Sequence, residues 1–111
     1  MNSSNKAPAS PPNYSVPFTL RAISDYNRWR ILEQIVLAGE PQMVKSLAQT
    51  AGISETSCSK HMGVLRDANV VDRGNGGLYH IAPAIRPPPG EYTIDFGFLT
   101  LRRTAPLLGG R

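Results

Sequence analysis

The stretch Lys45 to Arg73, KSLAQTAGISETSCSKHMGVLRDANVVDR, decides the fold of this chain. It spells two helices joined by a tight turn and then the entry to a strand, an order that presents one helix to the major groove of DNA. Val44, Leu47, Ala48 and Ala51 recur at three-to-four-residue spacing, and Gly52 follows where a left-handed residue ends a helix without steric cost. Ser54 is placed to accept a hydrogen bond from an orphan amide of the next helix, with Ile53 packed under the corner. From Glu55 to about Ala68, Cys58, Met62 and Leu65 share one side of a 3.6-residue wheel. Thr56, Lys60 and Gly63 lie opposite, flanked by Ser59 and Arg66. The second helix therefore buries one face and turns short donors and acceptors outward.

Upstream, Thr19 to Ile23 reads as a short helix, with Ser24 and Asp25 as a capping pair for a stronger one over Tyr26 to Ala38. Ile31, Leu32, Ile35 and Val36 form its buried stripe, Arg28 and Glu33 face water, and Gly39 stops it. Pro41 disfavours helical geometry at Glu40, so those two residues connect to the motif. Downstream, Val70 and Val71 open a strand that turns at Gly74-Asn75-Gly76-Gly77 and returns through Leu78 to Ile81, a two-stranded wing. Pro83 and Pro87-Pro88-Pro89 exclude a helix directly after the wing. Glu91 to Leu101 then alternates, with Tyr92, Ile94, Phe96 and Phe98 on one face. The apolar parity changes after Gly97, consistent with a bulge or with a strand end buried on both faces.

The fold class is thus α+β and mainly helical: a winged helix-turn-helix with an extra C-terminal strand in place of a last helix. Residues 1 to 13 read as a disordered arm, 14 to 82 as the winged domain and 83 to 90 as a proline-rich linker. Residues 91 to 103 read as the extra strand, a dimerisation element, and 104 to 111 as a flexible tail.

With 111 residues the chain supports one modest core. Twelve Lys and Arg against eight Asp and Glu give a formal +4, which permits an anionic partner without demanding one. From Ser54 to Ile81, however, Lys60, Arg66 and Arg73 balance Glu55, Asp67 and Asp72, so the reading unit is formally neutral. One cysteine excludes an internal disulfide and a multi-thiolate metal site. The opening MNSSNKAPASPPNYSVP lacks the apolar run of a signal peptide, and no stretch has the length and apolarity of a membrane span, so a cytoplasmic protein with no membrane partner is expected.

No glycine-rich phosphate cradle, spaced carboxylate pair or nucleophile with an evident base is visible, and the expectation is a non-enzyme with no metal and no cofactor. Lys60 can reach a phosphate or a guanine edge, or stand as a solvated helix lysine. Thr56, Ser57 and Ser59 can bond bases or phosphates, or only their own backbone. Glycine at 63 is explained by close approach to DNA or by drift at an unimportant position. Cys58 reads as a core hydrophobe rather than a redox thiol, and His61 as a helix-base residue or a phosphate contact. His80, on the returning wing strand, is expected to face water. Arg73 and Asn75 at the wing tip are groove or phosphate probes, or a solvated hairpin tip. Trp29 reads as a core or interface aromatic; Arg102 and Arg103 can touch DNA, pair with acidic groups at a dimer seam or, by default, keep the chain end soluble.

These blocks resemble the ArsR-type winged-helix repressors, the arsenic-repressor family of bacterial transcription factors, over roughly Leu20 to Ile81. LRAISDYNRWRILEQIV is similar to the family's opening helix pair. In LAQTAGISETSCSKHMGVLRDANVV, Ser54, Ser59, His61, Leu65 and Ala68 fall in register with the family's reading unit. The resemblance implies a homodimeric, sequence-specific DNA-binding regulator, with the Ser54 helix in the major groove and the wing, residues 72 to 79, on backbone or minor groove. Two such helices about 34 Å apart would match an imperfect palindrome in double-stranded DNA. The DNA-contacting set is then Ser54, Thr56, Ser57, Ser59, Lys60, His61, Gly63, Arg66, Arg73 and Asn75. The expected dimer seam is Phe18, Leu20, Ile23, Tyr92, Ile94, Phe96 and Phe98. PQMVKSLAQ carries none of the cysteine pair of metal-sensing members, and PPPGEYTIDFGFLTLRR stands where others have a ligand-bearing helix, so metal sensing is not implied. Asn69 replaces the family's typical glycine. The effector, if one exists, is left open. The competing reading is a winged-helix protein-interaction module that has lost DNA reading.

Overall fold

The computed structural model describes residues 14 to 103; the arm expected over 1 to 13 and the tail expected over 104 to 111 lie outside the described residues. Four helices come first: α1 (Val16–Ile23), α2 (Tyr26–Ala38), α3 (Val44–Ala51) and α4 (Glu55–Asp67). Strands β1 (Val71–Arg73) and β2 (Tyr79–Ile81) follow, then β3 (Tyr92–Asp95) and β4 (Thr100–Arg103).

Local signals set the helix bounds. The Asp25 carboxylate accepts from the amides of Asn27 and Arg28, and Gly39 ends α2 at φ 70°. Gly52 ends α3 at φ 71°. Ser54 caps α4 by accepting from the Ser57 amide at 3.0 Å. Both glycine ends are left-handed, where a Cβ would add strain. α1 starts three residues earlier than the expected Thr19, because Ser15 accepts from the Phe18 amide and Pro17 tolerates a first-turn position. Ser24 is not a partner in capping α2; its amide donates to the Leu20 carbonyl and closes α1.

Ile31, Leu32 and Ile35 of α2, Leu47, Ala48 and Ala51 of α3, and Cys58, Met62 and Leu65 of α4 meet in one core. Val70, Val71, Tyr79 and Ile81 close it from the wing. The wing is antiparallel, with Val71 opposite Ile81 and Arg73 opposite Tyr79. Gln42 adds a one-residue third edge through two 2.8 Å bonds with Tyr79, tying the α2–α3 connection to the wing.

Two expectations after the wing are corrected. A single 3₁₀ turn does form at Pro83–Ile85, since proline at its first position loses no intrahelical donor, and it buries Ile85. The lone strand over 91 to 103 is a hairpin: β3 pairs antiparallel with β4, Tyr92 opposite Arg103 and Ile94 opposite Leu101. Its turn is built on Asp95, whose carboxylate accepts from the Gly97 amide at 2.8 Å and the Thr100 hydroxyl at 3.3 Å. Gly97 takes φ 95°, so the parity change seen in the sequence marks a reversal rather than a bulge. Trp29, Leu32, Val36, Tyr92, Ile94 and Leu101 line a narrow cleft where this hairpin faces α2. No described helix is long and apolar enough to cross a membrane.

Candidate nucleic-acid interface

Helix α4 is anchored by its inner face and open on its outer one. Cys58, Met62 and Leu65 are fully buried, whereas Ser54, Thr56, Ser57, Ser59, Lys60 and Arg66 are exposed. The 3.6-residue period produces this division, because the buried residues recur at intervals of four and three. Burial pushes the Cys58 thiol above its ordinary range, and the nearby Glu55 charge adds to the effect, so the thiol stays protonated and apolar. Gly63 faces partly outward in the third turn, and a Cβ built there meets nothing within 4 Å. A mid-helix glycine costs about 1 kcal/mol relative to alanine, and nothing inside the fold requires it here.

His61 is half-buried and belongs to the base of the helix. One Arg28 guanidinium nitrogen lies 3.0 Å from its Nδ1. The same side chain donates through Nε to the Ala22 carbonyl at 2.6 Å and through its other terminal nitrogen to the Arg21 carbonyl at 3.3 Å. Arginine offers donors only, so His61 Nδ1 is the acceptor and the ring proton sits on Nε2. Arg28 therefore joins the end of α1, the start of α2 and the middle of α4, and does not face water as its place on the helix wheel suggested.

Two further fasteners were invisible in the sequence. The Tyr14 hydroxyl donates to the Asn69 carbonyl at 2.6 Å, where Asn69 turns the chain out of α4 at φ 62°. Burial raises the Tyr14 hydroxyl above its ordinary range, with the Asp72 charge contributing. Arg30 donates to the Thr50 carbonyl at 2.9 Å and lies over the Tyr26 ring, 5.7 Å from its centroid. Together these three contacts fix the end of α3, the middle of α4 and the exit from α4 against α2 and the segment preceding α1.

At the wing, Asn75 at the tip and Arg73 before it are both exposed, and the Arg73 side chain lies along the returning strand. Its guanidinium carbon lies 6.0 Å from the Tyr79 ring centroid, and a terminal nitrogen sits 3.0 Å from where a Gly77 Cβ would begin. Gly77 also holds φ 76°, and this backbone angle is what favours glycine there. His80 is half-buried, not solvated, with Nδ1 3.0 Å from the Ile81 carbonyl.

The expected seam residues separate into two groups. Ile23, Ile94 and Phe96 are spent in the chain's own core, at 7%, 4% and 1% exposure, so their side chains are not an outward surface. The hairpin reversal is the reason for Phe96: it packs edge-to-face on Tyr14 at 5.5 Å. Phe18, Leu20 and Phe98 remain between 40% and 45% exposed, and Tyr92 is half-buried. A cleft of about 630 Å³ lies between the end of α2, the wing and Pro87 to Gly90, with Glu40, His80, Arg86 and Glu91 on its walls. Among the described residues, no group of three or more His, Cys, Asp or Glu could hold a metal ion.

A helix-turn-helix whose second helix is open outward, followed by a two-stranded hairpin, defines a winged helix-turn-helix protein. A family profile described as a helix-turn-helix domain matches residues 23 to 73. Solved structures share the fold. HlyU from Vibrio cholerae is 21% identical with a TM-score of 0.53, covering 60% of this chain and 74% of that one. The homodimeric winged helix-turn-helix DNA-binding domain of Mb0332 from Mycobacterium bovis, a possible ArsR-family transcriptional regulator, is 24% identical with a TM-score of 0.53. That match covers 60% of this chain and 63% of the fragment. The transcriptional repressor BigR from Xylella fastidiosa is 26% identical with a TM-score of 0.50, over 62% and 71% of the two chains. No curated protein sequence matches the chain. The matched domain is a helix-turn-helix and the neighbours share its winged fold, in keeping with the resemblance read from the motif residues.

Proposed function

We propose that this protein is a sequence-specific DNA-binding transcriptional regulator, acting as a homodimer and most simply as a repressor. The observation that carries the reading is the outward face of α4: Thr56, Ser59, Lys60 and Arg66 stand exposed on a helix whose other face is locked in the core. A helix held so rigidly can enter a major groove without paying to order itself. Ser54, Ser57 and Gly63 complete the contact surface, Asn75 reaches the flanking backbone or minor groove, and His61 can offer its Nε2 proton to a phosphate. Arg73, exposed beside the Tyr79 ring, offers its charge to the groove or a phosphate.

The dimer seam in this proposal uses Phe18, Leu20 and Phe98 with the edge of the C-terminal hairpin near Tyr92. Exposed aromatic and aliphatic side chains beside an open strand edge are the surface a second copy would cover. The homodimeric state of Mb0332 and the repressor description of BigR support this arrangement by analogy. Selection of duplexes from a random-sequence pool by the purified protein tests the reading. An imperfect palindrome should emerge, bound with a steep salt dependence that Lys60→Ala reduces. Recovery of no preferred sequence, with binding that ignores salt, would favour the protein-interaction alternative that the formally neutral reading unit suggests.

A further inference from the structure

The notch at Gly63 is the feature of α4 that its own fold leaves unexplained. Its backbone is ordinary right-handed helix, since it is absent from the glycines held at positive φ. No neighbour crowds it, because a Cβ there would meet nothing within 4 Å. Neither strain nor packing therefore demands glycine. On the outer stripe the side chains of Ser59, Lys60, Arg66 and Asp67 rise around this bare stretch of backbone at spacings of four, three, three and four residues. The result is a shallow gap in an otherwise side-chain-covered face, floored by main chain and rimmed by two cations and one carboxylate.

We infer that this gap seats the sugar-phosphate ridge of one DNA strand, with Lys60 and Arg66 on its two sides. The inference rests on the DNA-binding reading above and deepens it. Position selects the ridge over a base edge. Recognition helices of this motif reach bases with their first turns, here Thr56 and Ser59, while a later turn is where the helix passes the strand bordering the groove. Charge points the same way: Lys60 and Arg66 outweigh the Asp67 carboxylate, and a rim of net positive charge suits a phosphate, a contact that positions the helix without reading sequence.

The consequence is a substitution that improves the protein alone and impairs it with DNA. Gly63→Ala should raise the thermal midpoint, because alanine is the better helix former. It should also weaken binding by about tenfold, since a methyl group forces the duplex away from a close contact. Gly63→Leu, another good helix former, should weaken it further. Because the ridge is present in every duplex, the loss should be equal on a selected palindrome and on a scrambled duplex of the same length. Competition titrations with both duplexes, alongside thermal melts, read all of this. Unchanged affinity in a stabilised Gly63→Ala protein overturns the inference, and so does a loss confined to the selected duplex, which would put a base edge in the gap. Absence of any binding by the wild-type protein is a different failure and removes the DNA-binding reading itself.

Discussion

Arg28 on α2 holds His61 on α4 through a 3.0 Å contact to Nδ1, a bond that can run in one direction only. The guanidinium donates, the imidazole accepts, and the ring is fixed as the Nε2–H tautomer. Nitrogen-15 NMR of the imidazole should show that tautomer in wild type and a mixture in Arg28→Met. The same variant strips the donor from the Ala22 and Arg21 carbonyls, and a loss of about 1–3 kcal/mol is expected in urea denaturation. A wild-type ring protonated at Nδ1 would contradict the contact.

Ser54 sets the start of α4 by a single 3.0 Å bond to the Ser57 amide. Ser54→Ala should cost about 1 kcal/mol, and Ser54→Gly only a few tenths, because glycine leaves the orphan amide open to water. The check is a comparison of the two denaturation midpoints at constant slope; equal losses would mean that the hydroxyl is not the cap.

Asp25 gives the fold a carboxylate that resists protonation. The hydrogen bond from the Arg28 amide is the largest cause, burial opposes it, and the Arg28 charge and the Asn27 amide add to the lowering below the usual 3.8. A depressed folded value means the contribution is complete above the ordinary carboxylate range and disappears as pH falls through the lower folded value. Between neutrality and about pH 2 wild type should therefore lose more stability than Asp25→Asn, whose amide oxygen still caps but does not titrate. Parallel thermal melts across that range, showing identical slopes, would remove the role assigned to this charge.

What the sequence made legible was local. Gly39, Gly52, Ser54 and Asp25 act within three or four residues, so the helix ends they set were readable to within a residue or so, whereas the start of α1 was missed by three. Arg28 to His61 and Tyr14 to Asn69 span 33 and 55 residues, and nothing in periodicity points from one to the other. On a wheel Arg28 sits away from the apolar stripe and reads as solvated; only the crossing of α4 over α2 reveals its partner. The C-terminal hairpin fell between these cases. Its signal was present at Asp95 and Gly97, but alternation across Phe96 and Phe98 looked like one continuous strand, because a turn held by a carboxylate leaves no break in hydrophobicity.

Lys60 is the exposed cation nearest the start of α4 and the simplest reporter of a phosphate contact. Lys60→Ala should weaken binding across sequences and lower the slope of log affinity against log salt by about 1. If Lys60 instead bonds a guanine edge, the loss concentrates at one base pair of the selected site, at about 1–3 kcal/mol. Mobility shifts at several salt concentrations with single-base variants of the duplex distinguish the two, and an unaltered slope with unaltered affinity makes the lysine a bystander.

Phe96 and Phe98 lie two residues apart with ring centroids 6.3 Å apart, yet their substitutions should fail in opposite ways. Phe96 is 1% exposed and packs on Tyr14, so Phe96→Ala should destabilise the protomer itself by about 3–5 kcal/mol. Phe98 is 40% exposed at the hairpin reversal, and Phe98→Ser should leave the protomer's denaturation nearly unchanged. Its effect belongs to association: sedimentation at micromolar concentration should show dimer for wild type and a shift toward monomer for Phe98→Ser. The double change Phe18→Ser with Phe98→Ser should complete that shift, since both rings are exposed and neither is required by the core. Persistence of the dimer in the double variant would move the seam away from the hairpin and α1.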